Sequence, residues 1–310
     1  MRTSHRNYSD EVGDFKRLSQ FMIENYAQIR KHSTWCLGRL VDWKYALWGD
    51  KQSNPEFWDE NAHLWFDGFG GLAGFAISEN GGPDIAIITS QGYRFLFEQI
   101  LLWVLENWGA REPALSIEIK AIQEMETRIL ESNGFQCDSS FYTSHFDLSS
   151  ELVQRYPLDE RFAITAMKSE SDYRSQLLLR QNAFGGKTEM SEDEIARISK
   201  ISRHGRQNPI YHADTDLCVV SPDGIFVSGC EALIDAYNLE VDIERVCTHS
   251  DYRRRGFARA VIQECLHRLK DMGMKKAYIT GYSEAAIALY NSIGAEKRTE
   301  SLISKHKVKK

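Results

Sequence analysis

The chain has 310 residues, 42% of them hydrophobic and 26% charged, with a formal net charge of −6 at pH 7. That balance excludes wholesale disorder, and the length points to two domains. A mildly acidic chain argues against broad binding to nucleic acid or to an anionic membrane. The longest apolar run, 95–104, is interrupted by Glu98 and Gln99 and falls short of a membrane span. The opening segment carries no apolar stretch of the secretory type. The six cysteines, at 36, 137, 218, 230, 247 and 265, form no CxxC pair and no zinc spacing. Reduced thiols in a cytoplasmic protein without a metal site are therefore expected.

Helical spacing of Phe15, Leu18, Met22, Tyr26 and Ile29 predicts a helix over 14–31. An aromatic-rich segment, 35–48, follows. Strands are predicted at 63–66, 72–77 and 84–89, the last two joined as a hairpin by the turn residues SENGGP. A helix over 93–107, a strand at 115–119, a short helix over 121–132 stopped by Asn133-Gly134, and a strand at 141–148 complete the first half. After a linker at 149–160 the plan repeats. The second half reads as a strand at 162–167, helices at 172–182 and 192–204, a hairpin of 217–220 with 225–234, and a strand at 239–248. It closes with a helix over 258–272 whose apolar stripe is Val261, Cys265, Leu266, Leu269 and Met272, a strand at 277–280, a short helix over 284–292 and a strand at 302–308. An offset of 160 residues superimposes Gly134 on Gly294 and Ile119 on Ile279. The same order of elements in both halves reads as a diverged duplication. The expected domains are 1–150 and 151–310, and the expected class is α/β (α+β), each half a mixed, mainly antiparallel sheet flanked by helices.

The most informative stretch is ERVCTHSDYRRRGFARAVIQE, 244–264. A strand runs into a polar turn, three arginines, a small-residue pair at Gly256 and Ala258, and then an amphipathic helix. Unpaired N–H groups of a first helical turn, aligned with the positive dipole end, bind phosphate. A pyrophosphate or similar polyanion is the ligand such a turn would take. Without a ligand the same residues make a solvated basic turn capped by glycine.

Arg253-x-x-Gly256-x-Ala258 after Val246-Cys247-Thr248 resembles the signature of the GNAT superfamily of acyl-CoA-dependent N-acyltransferases. LYNSIGA, 289–295, is similar to that family's tyrosine-bearing helix. The resemblance spans about 161–308 and implies acetyl-CoA as donor. It implies that the strand holding Val246 splays from its neighbour and that Val246, Cys247 and Thr248 line the pantetheine arm, one N–H polarising the thioester carbonyl. It implies that Arg253, Arg254, Arg255, Gly256, Phe257 and Ala258 hold the pyrophosphate. Tyr290 matches the family's tyrosine and would donate a proton to the departing thiolate; its alternative is a packed aromatic. Ser283 stands where the family often has asparagine.

Strict alternation along 239–248 places Asp242, Glu244, Val246 and Thr248 on one strand face. Glu244 is there the candidate base for an ammonium acceptor, or else a structural ion-pair partner. Cys247 points away into packing, against a covalent acyl-cysteine route, and His249 reads as a turn residue. In the first half the 160-residue offset sets Leu96 on Gly256, Glu98 on Ala258 and Leu130 on Tyr290. That half therefore reads as a degenerate GNAT-like domain without the cofactor motif, walling the acceptor cleft or mediating self-association into a homo-oligomer. The expected function is N-acetyl transfer from acetyl-CoA to a primary amine of a small molecule. A non-catalytic acyl-CoA-binding or regulatory protein, and an enzyme with a protein amine as acceptor, are the alternatives.

Overall fold

In a computed structural model the described residues are 3–111 and 114–306. They divide into two units, the first running to Phe141 and resuming at Thr299, the second spanning Tyr142–Arg298.

The first unit carries β1 (Ser4–Asn7), α1 (Asp14–Ile29), α2 (Leu37–Tyr45), α3 (Phe57–Asn61), β2 (Ala62–Phe66), β3 (Leu72–Ser78), β4 (Asp84–Thr89), α4 (Leu96–Trp108), β5 (Ser116–Lys120), α5 (Glu124–Ser132) and the start of β6 (Phe135–Asp147). Strands β1 to β4 pair as successive antiparallel neighbours, and β4 then meets β5 in parallel. The SENGGP turn closes the β3–β4 hairpin with Gly81 at φ +76, a conformation glycine takes without strain. The apolar face of α4, with Phe97, Ile100 and Val104, packs on Trp65, Ile85, Ile87 and Ile117. The predicted strand at 141–148 begins earlier, at Phe135. The edge strand β1 has no sequence prediction, because SHRN carries no alternation that marks it.

The second unit carries the rest of β6, then β7 (Ala163–Ala166), α6 (Glu170–Gly185), α7 (Glu192–Gly205), β8 (Tyr211–Val220), β9 (Phe226–Asp235), β10 (Glu240–Thr248), α8 (Phe257–Asp271), β11 (Lys276–Gly281), α9 (Glu284–Ser292) and the first residues of β12 (Lys297–His306). Capping boxes start both α6, through Ser169 and Asp172, and α7, through Ser191 and Glu194. Strands β7 to β10 are successive antiparallel neighbours, and β10 meets β11 in parallel. One sheet face packs on α8 and α9 through Val241, Ile243, Val261, Leu266, Ile279 and Tyr290. The other packs on α6 through Leu179, Cys218 and Cys247. Met272 falls outside the expected stripe of α8. The helix ends at Asp271, Met272 is 39% exposed, and Met274 is buried in its place.

Each unit closes its sheet with a strand from the far side of the chain. In the first, Ser301–Lys305 of β12 runs antiparallel to Lys120–Ser116 of β5. In the second, Tyr142–Asp147 of β6 runs antiparallel to Gly281–Lys276 of β11. Residues 307 and 308 of the predicted last strand lie outside the described residues. Among the described residues no helix is long and apolar enough to cross a membrane.

Candidate active site

The site is built where β10 and β11 part. Their parallel ladder covers three pairs, Glu240/Lys276, Val241/Ala277 and Asp242/Tyr278, after which β10 continues to Thr248 and β11 to Gly281 without pairing to each other. On its other edge β10 stays paired to β9, but the register slips between Glu244/Glu231 and Cys247/Gly229. Arg245 and Val246 together therefore oppose one residue, Cys230. This is a β-bulge, and it bends the strand away from its parallel neighbour.

The bulge corrects the expected alternation. Glu244 stands directly opposite Glu231, whose carboxylate meets Arg180 of α6, so Glu244 shares the α6 face. Asp242, opposite Leu233, lies on that face as well. Val246, shifted by the extra residue, packs with Val241, Ile243, Phe257 and Tyr290 on the opposite face. Cys247, expected opposite Glu244, instead shares its α6 face because of the bulge; it is buried there against Met167, Leu179 and Cys218, and burial pushes its thiol up to about 11. It stays protonated near neutral pH and makes a poor nucleophile. The Thr248 hydroxyl lies 3.0 Å from Ser228 Oγ.

Tyr290 reaches the site from α9. Its ring is 4% exposed and lies against Gly281 at the end of β11, where an added Cβ would stand 3.1 Å from Cε2. Burial first, then the negative charge of Glu244, raises the phenol above its ordinary pKa. The phenol is thus a protonated group whose titration feels the Glu244 carboxylate. Ser283 caps α9, its Oγ accepting from the Ala286 N–H at 3.2 Å. Asn291 is exposed.

The turn between β10 and α8 has the form of an anion cradle. Arg254 and Gly256 both adopt left-handed conformations, at φ +65 and +82, and α8 starts at Gly256 without a side-chain cap. The buried amide of Asn182 ties the turn to α6, accepting from the Ser250 N–H at 2.8 Å. His249 Nδ1 accepts from the Asp251 N–H at 3.3 Å, which makes it a turn residue. Arg253, Arg254 and Arg255 are exposed, and the Arg255 guanidinium lies over the rings of Phe162, Tyr252 and Phe257. The Phe257 ring belongs to the core, so at the turn Phe257 offers backbone only. Arg259 donates to Ser292 Oγ at 2.8 Å, bridging α8 to the end of α9.

Two features escape the sequence reading. The linker lies along α8: Arg155 pairs with Glu264 at 2.7 Å, the Tyr156 N–H donates to Gln263 Oε1 at 2.8 Å, and the Tyr156 ring reaches Gly256, where a Cβ would stand 2.6 Å from Cε1. Nothing in the polar composition of 149–160 marks that tyrosine. On the α6 face, Arg180 bridges Asp216 at 3.2 Å and Glu231 at 2.9 Å, and Arg245 meets Glu231 at 3.2 Å. A carboxylate inside each of the apolar strands DLCVV and GCEALI is the sequence signal that could have located this cluster.

The first unit has the corresponding helix start but not the cradle. Arg94, just before α4, is held by both oxygens of the buried Glu126 at 3.0 and 2.8 Å, and Glu98 stands in the first turn. That cation is already neutralised by a carboxylate from α5.

Residues 188–295 match the model of the acetyltransferase (GNAT) family. No curated protein sequence matches the chain. Among solved structures, a GCN5-related N-acetyltransferase from Sphaerobacter thermophilus is 16% identical, with 98% of this chain and 95% of that one covered and a TM-score of 0.64. A tandem GNAT protein from the clavulanic acid biosynthesis pathway is 8% identical over the whole of both chains, at a TM-score of 0.63. A GNAT-family acetyltransferase from Colwellia psychrerythraea is 11% identical over 99% of this chain and 100% of that one, at 0.58. At such identities the likeness is one of fold. Residues 188–295 thus match the acetyltransferase (GNAT) family model, and the fold of the described residues is that of tandem GNAT proteins.

Proposed function

We propose that the protein is an acetyl-CoA-dependent N-acetyltransferase that moves an acetyl group to a primary amine of a small molecule by direct transfer. The observation that carries the reading is the opening between β10 and β11, with Tyr290 and the uncapped start of α8 on one sheet face and Glu244 on the other. Donor and acceptor can then approach one point from opposite sides of the sheet.

The residues present suit acetyl-CoA. Two left-handed residues, three exposed arginines and the dipole of α8 make a polyanion site, with Arg253 to Ala258 as its wall. The bound cofactor supplies an activated thioester. The bulged backbone at Val246 is the group suited to donate a hydrogen bond to the thioester oxygen as charge develops there. Glu244 takes the proton that an alkylammonium acceptor must lose before it attacks. Tyr290, kept protonated by burial and by Glu244, gives its proton to the leaving sulfur. The buried, protonated Cys247 favours direct transfer over an acyl-cysteine intermediate. The first unit, with Arg94 committed to Glu126, is the half that does not hold cofactor.

The test is thioester turnover by the intact chain against a panel of small amines, with calorimetric titration of acetyl-CoA alongside. Turnover with any small amine supports the reading. Binding without turnover, or acetylation confined to protein amines, would replace it with one of the two alternatives, and no binding would overturn it altogether.

A further inference from the structure

Arg245 is the residue on which the bulge turns, and its backbone is left-handed at φ +53. A side chain there is sterically disfavoured, and such a conformation persists only where the surroundings over-determine it. Here the surroundings include a cluster of charges, with Glu231 and Asp216 buried and Arg245 and Arg180 half-buried. Arg245 Nη1 lies 3.2 Å from Glu231 Oε2, and the same oxygen accepts from Arg180 Nη2 at 2.9 Å. Arg180 also reaches Asp216, which takes further hydrogen bonds from the Tyr211 hydroxyl at 3.0 Å and from Gln176 Nε2 at 2.5 Å. Two cations meet two carboxylates, so removing one acid leaves a half-buried cation uncompensated. Burial pushes Glu231 up, but Arg245 and Arg180 more than offset it and keep the carboxylate ionised. Glu231 is also the register partner of Glu244 and sits one residue from Cys230, which the bulge spans.

We infer that Glu231 is a positioning residue for acetyl transfer, holding Arg245 in its left-handed conformation and thereby aiming the Val246 backbone and the Glu244 carboxylate into the opening between β10 and β11. Neither Glu231 nor Arg245 need touch substrate for this. The inference rests on the acetyltransferase reading for its catalytic consequence, but the conformational device it describes can be read without turnover.

The experiment uses E231Q, R245G and the double variant in the full chain. Glutamine keeps the shape of Glu231 and removes its charge, while glycine adopts φ +53 with no partner to hold it. E231Q should lower kcat about 10–100-fold, the scale of a misplacement of the order of 1 Å at a reacting group. Its affinity for acetyl-CoA should stay within about twofold, because the phosphate cradle is untouched. R245G should stay within about threefold of the parent, and E231Q/R245G should recover most of the lost kcat. Hydrogen exchange of the Val246 and Cys247 amides should quicken in E231Q and return towards the parent rate in the double variant. If the parent chain acetylates no amine, the functional reading fails while amide exchange still decides the device. A loss in R245G as large as in E231Q, or a double variant without rescue, would overturn the inference and make these charges direct substrate contacts. If E231Q does not fold, R245G decides alone: a retained kcat supports the inference and a lost one overturns it.

Discussion

Replacing Gly256 by alanine tests the cradle at its most constrained atom. Two costs follow from the geometry. A left-handed backbone at φ +82 carries a penalty of about 1–2 kcal/mol for any side chain with a Cβ. The new methyl would also stand 2.6–2.9 Å from Cε1, Cζ and Oη of Tyr156, so the ring must retreat about 0.8 Å to reach ordinary contact at 3.4 Å. Tyr156 is 37% exposed and sits on the linker, so it can give way. The backbone conformation cannot, because the start of α8 depends on it. We expect G256A to fold, to lose about 1–2 kcal/mol of unfolding free energy, and to bind acetyl-CoA about tenfold more weakly as the turn relaxes towards negative φ. Denaturant unfolding and calorimetry on the same preparations read both numbers. Adding Y156A should remove the steric part and leave the conformational part. Unchanged stability and affinity in G256A, or full restoration of both in G256A/Y156A, would refute the argument that the positive φ of Gly256 builds the site.

Tyr290→Phe keeps the packed ring and removes the proton, so acetyl-CoA affinity should hold while the transfer rate falls about 10²–10⁴-fold in steady-state assays. Glu244→Gln should slow transfer most at the acid end of the pH profile, where neutral amine is scarce; a loss equal at every pH would mark Glu244 as a positioning group. Calorimetry should give one acetyl-CoA site per chain, since Glu126 already neutralises Arg94 in the first unit, and two sites of similar affinity would contradict this. In that unit His63 is buried, its Nδ1 2.6 Å from Asn7 Oδ1 and its Nε2 2.9 Å from His5 Nδ1. Burial, then His5 and Arg6, push its pKa down to about 4. Because the unfolded chain then binds the proton more tightly, His63 contributes stability that is complete above about pH 6.5 and is lost as pH falls towards 4, about 3 kcal/mol in all. Unfolding curves at pH 7 and 4.5 should show that drop in the parent chain and a smaller one in His63→Gln.

The order of elements was legible because each rests on local chemistry. Apolar spacing marked α1 and α8, the SENGGP turn marked the β3–β4 hairpin, and Gly134 and Gly294 marked the ends of α5 and α9. The cradle was legible for the same reason: a glycine at positive φ, an uncapped helix start and a run of arginines are all encoded within six residues. The face of Val246 was not. Alternation assumes one residue per partner, and the bulge that breaks it is held by Glu231 and Arg180, which are 14 and 65 residues away in sequence. Tyr156 is likewise a linker residue until Gln263 and Gly256 of a helix 100 residues later fix its place. Nor could local pattern show that β12 closes the first unit's sheet and β6 the second's, since any strand with the right alternation can fill an antiparallel edge. What could be read along the chain were the elements, the family motif and the arginine-glycine turn before α8, which depend on neighbours in sequence. Which way β10 turns, what rests on the turn before α8 and which strand completes each sheet came only with the tertiary structure, because those depend on charges and hydrogen bonds between residues far apart in sequence.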